Sequence, residues 1–285
     1  MLITLEKVTH VYATDPPVEA LKEIDMEIAG NDFIGLIGPT GSGKSTLVQL
    51  LNGLITPTRG RVLIDERDIN ENKKVLREVR QQVGLVFQYP EHQLFEETIF
   101  DEIAFGPRNM KISEEEVQKR VRQVLSLVDM DIEEFGERSP FNLSGGQKRK
   151  IAIAGILAMA PRLLILDEPF AGLDPEGRQQ LVVLLKKLHQ EQQMTLILIS
   201  HRMEEIALLA NRIVVLDGGE LVLEGSPREV FSQPERLRRL SLNIPQITEV
   251  LFALREKGLE VRTDLFDINK AADEIMDSLR SKNIC

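Results

Sequence analysis

The 285-residue sequence has little cysteine and few aromatic rings, with one cysteine, two tyrosines and no tryptophan. The cysteine is Cys285, the last residue, so an internal disulfide is excluded and a reducing compartment such as the cytoplasm is expected. The longest apolar run, residues 151–160, is far shorter than the ~20 residues that cross a bilayer, and it predicts a buried helix. The start of the sequence lacks a basic segment followed by an apolar one, so no signal peptide is predicted.

Positive charge is also scarce. The sequence has 45 acidic and 35 basic residues, which gives a net charge of −10. Because the phosphate backbone of a nucleic acid needs a broad basic face, no nucleic-acid partner is expected. The 42% of hydrophobic and 28% of charged residues are typical of a soluble globular protein, and the length allows one large domain and a smaller one.

The apolar segments that are present predict an α/β fold. The runs LLILD, TLILIS and RIVVLD alternate with predicted helices over Pro175 to about Glu191 and Met203 to Ala210. Near-continuous apolar strands are typical of a parallel sheet that is covered on both faces. The first ~65 residues instead resemble a series of short β-strands. A helix is predicted over residues 113–128.

The character of the chain changes after Gly225, and residues 226–285 are predicted to be a small C-terminal helical domain. A polar stretch with three prolines is followed by two amphipathic helices. The apolar stripe of the last helix is predicted to comprise Ile268, Ala272, Ile275 and Leu279. Both stripes look too narrow to form a core of their own. They are therefore expected to dock, either on a partner subunit or on this chain's own N-terminal domain.

The segment GPTGSGKST fits the phosphate-binding pattern G-x-x-x-x-G-K-[ST] and lies between a buried strand and a helix. Its glycines let the backbone curl around a phosphate. Lys44 is predicted to reach the β- and γ-phosphates, Thr46 the α-phosphate, and Ser45 to hold Mg²⁺. The predicted nucleotide-binding residues of this loop are Gly38, Pro39, Thr40, Gly41, Ser42, Gly43, Lys44, Ser45 and Thr46.

Two carboxylates follow the apolar run LLIL, at the end of a predicted strand. Asp167 is predicted to hold Mg²⁺, directly or through water, and Glu168 to take a proton from the attacking water. Carboxylates after a strand also serve as helix caps, but the phosphate-binding loop elsewhere in the chain favours the catalytic role.

Three single residues complete this predicted site. His201 follows the strand LILIS and could sense the γ-phosphate, and Gln88 follows the strand VGLVF and could bridge Mg²⁺ and the water. Tyr12, in the first β-segment, could stack on adenine. Taken singly, each of the three fits a packing or surface role as well.

A second anion site is predicted at NLSGGQKRK. Ser144 is a good N-cap for the apolar helix that follows, and Gly145 and Gly146 leave their backbone N–H groups bare. The start of a helix favours negative charge because its first N–H groups have no partner. The chain therefore contains two phosphate-binding helix starts about a hundred residues apart.

The order of these motifs, with AGLD at residues 171–174, resembles the ATP-binding cassette (ABC) family from about residue 2 to 225. The resemblance implies a P-loop NTPase fold with a RecA-like core, an N-terminal antiparallel β subdomain and a helical signature subdomain at about 89–160. It also implies a head-to-tail dimer. In that dimer the signature motif LSGGQ (residues 143–147) of one chain closes over the ATP that is bound by the other chain. By the resemblance, Ser144, Gly146 and Gln147 would act in trans, and Asp174 would cross the same interface. Gly145 is also among the predicted nucleotide-binding residues.

Two longer segments, VFQYPEHQLFEETIFDEIAFGPRN and LRRLSLNIPQITEVLFALREKGL, are similar to the ATPases of energy-coupling factor importers for vitamins or metal ions, and the second favours the A-prime type. This resemblance implies a related second ATPase, a transmembrane coupling subunit, a substrate-binding membrane subunit and a peripheral location on the cytoplasmic side of the membrane. Two alternatives remain at this point. One is the homodimeric ATPase of a conventional ABC importer, and the other is a regulatory ABC ATPase without transport.

The segment after Gln88 has five carboxylates and no lysine or arginine among its apolar positions. It predicts either a solvated helix over core aromatics or an acidic groove that accepts a basic helix of a transmembrane subunit. The carboxylates are Glu91, Glu96, Glu97, Asp101 and Glu102.

Overall fold

The computed structural model describes residues 2–281, so the inferences about Cys285 lie outside the described residues. The strands are β1 (Ile3–Tyr12), β2 (Val18–Ile28), β3 (Phe33–Ile37), β4 (Arg59–Ile64), β5 (Arg67–Asp68), β6 (Val83–Val86), β7 (Leu163–Asp167), β8 (Thr195–Ile199), β9 (Arg212–Asp217) and β10 (Glu220–Gly225). The helices are α1 (Lys44–Leu51), α2 (Lys73–Gln82), α3 (Ile99–Asn109), α4 (Glu114–Leu127), α5 (Ile132–Phe135), α6 (Gly145–Leu157), α7 (Pro175–Gln190), α8 (Met203–Leu209), α9 (Pro227–Phe231), α10 (Pro234–Arg239), α11 (Gln246–Glu256) and α12 (Ile268–Ser281).

A six-stranded sheet in the order β10-β9-β3-β8-β7-β6 forms the centre of the molecule. All neighbouring strands are parallel except the β9–β10 hairpin. Strands β3, β7 and β8 are apolar along their length because both faces of the sheet are covered, each by its own hydrophobic cluster. The predicted α/β core is confirmed.

A second sheet, in the order β2-β1-β4-β5, is antiparallel in all three pairings and comes from the first 68 residues. It brings the end of β1 close to the phosphate-binding loop, since Tyr12 lies within hydrogen-bond distance of Thr46. The predicted N-terminal antiparallel subdomain is therefore present.

Between β6 and β7 the chain is helical, from α3 to α6. The helix predicted over 113–128 is α4, and Ser113 caps it by accepting a hydrogen bond from the backbone N–H of Glu116. Its buried face packs with α3 and α6 in the larger of the two clusters. Helix α6 begins at the second predicted anion site, and its last residue, Leu157, is buried in the same cluster.

The C-terminal segment differs from the prediction in two respects. The proline-containing stretch forms the short helices α9 and α10, each with proline at its start. The expectation that the two later helices form no core is wrong, because the loop after Gly258 adds Leu259 and Val261 to a cluster with Leu251 and Ala271. The domain boundary at 226 stays a prediction.

The predicted apolar stripe of α12 is confirmed in part, because Ile275 and Leu279 pack against this cluster. Ala271 is fully buried, whereas Ile268 is 72% exposed and Ala272 is exposed. In α11, Val250 is exposed while Leu251 is buried. These helices therefore turn some apolar side chains outward.

Within residues 2–281, no helix is both long and apolar enough to span a membrane.

Candidate nucleotide-binding and catalytic site

The loop between β3 and α1 has a backbone that only glycine allows at its two ends. A Cβ on Gly38 (φ +157°) would lie 2.2 Å from the carbonyl oxygen of Leu216, and one on Gly43 (φ +102°) would lie 2.5 Å from that of Ala20. At Gly41 (φ +80°) a Cβ would meet no atom within 4 Å. The loop is therefore packed where it leaves the core and open at its tip, as a phosphate cradle requires.

The ammonium group of Lys44 lies inside this loop. Its Nζ donates hydrogen bonds to the carbonyl oxygens of Gly38 at 2.7 Å and Pro39 at 2.9 Å. Burial lowers the pKa of Lys44, and the nearby charges of Glu168 and Asp167 oppose this shift. The lysine thus brings a positive charge to the loop. A bound phosphate would replace the two carbonyl oxygens as the acceptor of its hydrogen bonds.

Tyr12 lies beside the same helix start. Its hydroxyl is 3.2 Å from Oγ1 of Thr46, and its ring packs edge-on against His10 with centroids 4.6 Å apart. Ser45, the residue between Lys44 and Thr46, is exposed. The structure therefore brings Tyr12 to the nucleotide-binding loop, and its stacking on a base stays a prediction.

Asp167 ends β7, and Glu168 follows it in a left-handed conformation (φ +50°). The backbone N–H of Glu168 donates to the carbonyl oxygen of Ile199 at 2.9 Å, which fixes the residue against β8. Burial, and next the charge of Asp167, raise the pKa of Glu168 to about 7. Burial also raises the pKa of Asp167. The Oε1 atom of Glu168 is buried and has no hydrogen-bond partner among residues 2–281, so it is available to a bound water.

His201 follows β8 and faces this carboxylate. Its Nε2 lies 3.7 Å from Oε1 of Glu168. Burial and the charge of Lys44 lower the pKa of His201, which favours the neutral imidazole. Gln88 lies two residues beyond β6 and is exposed. It is at the same edge of the sheet as Asp167, since β6 is parallel to its neighbour β7. The predicted catalytic residues thus lie together at the carboxyl ends of adjacent parallel strands.

The second predicted anion site lies at the start of α6. Ser144 and Gln147 form a capping box, in which each side chain accepts a hydrogen bond from the other's backbone N–H. Gly145 and Gly146 have open space where a Cβ would be. They line a cleft of about 700 Å³ with Asp174, and no residue of the phosphate-binding loop is among the cleft's lining residues.

Asp174 caps α7, where its carboxylate accepts a hydrogen bond from the backbone N–H of Gly177 at 2.7 Å. The residue is exposed, so its free oxygen remains accessible from the cleft. The structure therefore brings the signature and Asp174 together, apart from the loop around Lys44. Whether they act in trans is a property of a dimer and stays a prediction.

Sequence reasoning missed a buried ion pair that links these parts. The guanidinium of Arg149, in α6, is 2.6 Å from the carboxylate of Glu91, and it also donates to the carbonyl oxygens of Pro169 and Ala171. Arg149 is only 4% exposed. The side chain of Arg149 thereby joins three parts of the chain: helix α6, the segment after Gln88 and the segment after Glu168. The one sign of this pair in the sequence was an arginine two residues before the apolar run of residues 151–160.

The predicted acidic groove is wrong in its charge. A groove of about 490 Å³ does follow Gln88, with an apolar floor that includes Phe95 and Phe105. Of the five carboxylates only Glu102 lines it, however, and α2 adds Arg77 and Arg80.

The other carboxylates of the segment are used elsewhere or lie outside the groove. Glu91 pairs with Arg149, and Asp101 pairs with Arg108 at 2.7 Å. Glu102 itself accepts hydrogen bonds from two backbone N–H groups of residues 95 and 96. The groove is thus apolar with mixed charges at its rim.

A family model described as ABC transporter matches residues 21–171. The chain belongs to the ABC transporter family. It is 48% identical to the energy-coupling factor transporter ATP-binding protein EcfA2 of Clostridium tetani, over 99% of each chain. It is 49% identical to EcfA2 of Caldanaerobacter subterraneus, over the full length of both. The resemblance predicted from the motifs, including that to the A-prime type, is confirmed.

Two solved structures support the same fold. One is cbiO1 from Clostridium perfringens, described as part of the ABC transporter complex cbiONQ, with 37% identity, coverage of 86% of this chain and 96% of that one, and a TM-score of 0.74. The other is a dimeric ATP-binding cassette in a post-hydrolysis state bound to ADP and Pi, with 31% identity, coverage of 79% and 98%, and a TM-score of 0.69. As a member of this family, the chain binds and hydrolyses ATP to power transport.

Proposed function

We propose that the chain is one of two related ATPase subunits of an energy-coupling factor importer, peripheral on the cytoplasmic side of the cell membrane. Its partners would be a second ABC ATPase, a transmembrane coupling subunit and a membrane subunit that binds a vitamin or metal-ion micronutrient. The observation that carries the proposal is the full-length similarity to EcfA2 proteins, and the separation of two predicted anion sites, one at Lys44 and one at Gly145 and Gly146, supports it. A head-to-tail dimer would give each site a different ATP.

The residues of the catalytic site fit ATP and Mg²⁺. The loop is open at Gly41 where phosphates would enter, and Glu168 keeps a buried oxygen without a partner among the described residues. Ser45, Asp167 and Gln88 supply oxygen atoms, which are the ligands that Mg²⁺ prefers. When bound, Mg²⁺ would neutralise charge on the β- and γ-phosphates.

The roles of the protein groups follow from their surroundings. Glu168 would accept a proton from the attacking water, because burial has made its carboxyl a better base than an exposed one. His201, next to it and largely neutral, would donate a hydrogen bond to the γ-phosphate. Closure of a partner's signature over this site would exclude bulk water.

The groove that follows Gln88 is the proposed docking site of the transmembrane coupling subunit. Its exposed rings, Phe95 and Phe105, lie perpendicular to each other with centroids 4.9 Å apart. The Arg149–Glu91 pair ties the start of this groove to the signature helix. A change at the ATP site could therefore be transmitted to the groove, since Gln88 precedes it in the same segment.

The C-terminal helices α11 and α12 are proposed to hold the two ATPases together when ATP is absent. They have a small core of their own, yet Val250, Ile268 and Met276 are exposed. Exposed apolar side chains of this size are candidates for contact with a partner.

Purification of the tagged chain from membranes tests the proposal. Co-purification of a second ATP-binding cassette and a polytopic membrane protein, identified by mass spectrometry, is expected. Recovery of this chain alone, or with only a second copy of itself, from a membrane extract in which it is abundant would contradict it.

A further inference from the structure

A buried carboxylate is hydrogen-bonded to the loop that carries His201 (residues 200–202, the His201 loop). It belongs to Glu205, in the first turn of α8, and the residue is 8% exposed. The buried hydroxyl of Ser200 donates a hydrogen bond to Oε2 of Glu205 at 2.9 Å. The same hydroxyl oxygen accepts a hydrogen bond from the backbone N–H of Arg202 at 3.1 Å. The residues on both sides of His201 are thus tied to Glu205 through one oxygen atom.

The second oxygen of this carboxylate has an ion pair but no hydrogen bond. Arg202 Nε lies 3.1 Å from Oε1 of Glu205, and Oε1 has no hydrogen-bond partner within residues 2–281. The two oxygens of Glu205 thus contact the two residues that flank His201.

Stability of α8 does not account for this arrangement. A carboxylate in the first turn favours a helix, but an exposed one does so without the cost of burial. Glu204, its neighbour in the same turn, is already present and less buried. The position of Glu205 beneath Ser200 therefore calls for another reason.

We propose that Glu205 is a positioning residue that holds the His201 loop through Ser200. The inference rests on the proposed role of His201 in hydrolysis. The carboxylate fixes the backbone on both sides of the imidazole that faces Glu168.

Steady-state hydrolysis by the complex purified on the tagged full-length chain tests this. Glu205→Ala and Ser200→Ala should each lower kcat by about 10-fold or more, with the KM for ATP changed by less than ~2-fold, because the hydrogen bonds and ion pair of their side chains within residues 2–281 go to residues 200–205 and not to the nucleotide-binding loop. Glu205→Gln should restore most of kcat, since a carboxamide oxygen still accepts from Ser200. Glu204→Ala, in the same turn of α8, is the matched control and should leave kcat unchanged.

The decisive comparison is made in a His201→Ala background, by single-turnover hydrolysis. If Glu205 acts through His201, adding Glu205→Ala there should cost less than ~2-fold, because mutations in one pathway are not additive. The same fold-loss in both backgrounds, or wild-type kcat for both Glu205→Ala and Ser200→Ala, would overturn the inference. Ser200→Ala removes a single oxygen, so it decides the matter if Glu205→Ala does not fold. Wild-type hydrolysis by His201→Ala alone would instead refute the proposed role of His201.

Discussion

The Nε2 atom of His201 lies 3.7 Å from Oε1 of Glu168, a buried oxygen without a hydrogen-bond partner in residues 2–281. Burial and the charge of Asp167 together raise the pKa of this carboxyl to about 7. A carboxylate in such surroundings is a candidate proton acceptor, and the neutral imidazole beside it can hold a phosphate oxygen in place.

Replacement of Glu168 by glutamine should abolish most hydrolysis and spare ATP binding. The amide cannot accept the proton of the attacking water, and loss of one general base typically costs ~10²–10⁴-fold in kcat. Binding should persist because the phosphates are held by the loop around Lys44. Single-turnover hydrolysis and equilibrium ATP binding check this on the same preparation, and a wild-type rate would show that Glu168 is not the base.

The same substitution should stabilise the nucleotide-free protein, in a way that depends on pH. The folded pKa of Glu168, about 7, is above the ordinary 4.5, so ionisation destabilises the fold. The penalty is absent below pH ~4.5, grows between ~4.5 and ~7, and is complete above ~7. The free energy that corresponds to this pKa shift is reduced by solvent screening. At pH 8, Glu168→Gln should therefore raise the free energy of unfolding by about 1–2 kcal/mol and Tm by roughly 2–6 °C.

Thermal unfolding without ATP or Mg²⁺ at pH 8 and pH 5 measures this difference. The gain in Tm should shrink at pH 5, where most of the wild-type carboxyl is protonated in the folded state. An equal gain at both values would mean that the effect does not come from the ionisation of Glu168.

The catalytic site was predictable from the sequence because its parts are local motifs at strand ends. Gly38 to Thr46, Asp167 and Glu168 each follow an apolar strand, and parallel strands bring such ends to one edge. Glu205 was not predictable, since a glutamate in the first turn of a helix is common and its burial depends on packing against Ser200.

The errors came from contacts between separate elements. The acidic groove failed because α2, which precedes β6, brings two arginines to it, and because Glu91 pairs with Arg149. The C-terminal core was missed because Leu259 and Val261 lie in a loop and have no helical period. Patterns within one element report its own faces and do not identify what packs on them.

The apolar floor of the groove should be needed for assembly. Phe105→Glu places a charge on a side chain that is 46% exposed, so the fold should tolerate it. A membrane subunit that buries this ring would lose about 10-fold or more in affinity. Val183→Glu on α7, at a residue of similar exposure outside the groove, is the matched control. Co-purification that is equally reduced, or unchanged, in both variants would exclude the groove as the docking site.

The exposed apolar residues of the C-terminal helices should matter only without nucleotide. Ile268→Glu should weaken co-purification of the partner ATPase in the absence of ATP, because the side chain is exposed in the single chain. With ATP and Glu168→Gln, the bound nucleotides should hold the pair and restore the yield. Undiminished co-purification without ATP would show that this surface docks nothing. A loss that ATP does not reverse would indicate a folding defect instead.

ATP binding by the isolated chain tests the central claim, that its two anion sites serve different nucleotides. Lys44→Ala should abolish binding, because it removes the charge held in the phosphate loop. Ser144→Arg, which fills the cleft at the start of α6, should leave the Kd of the isolated chain within ~3-fold of wild type while it disables hydrolysis in the assembled complex. Loss of binding by the isolated Ser144→Arg chain would contradict the account.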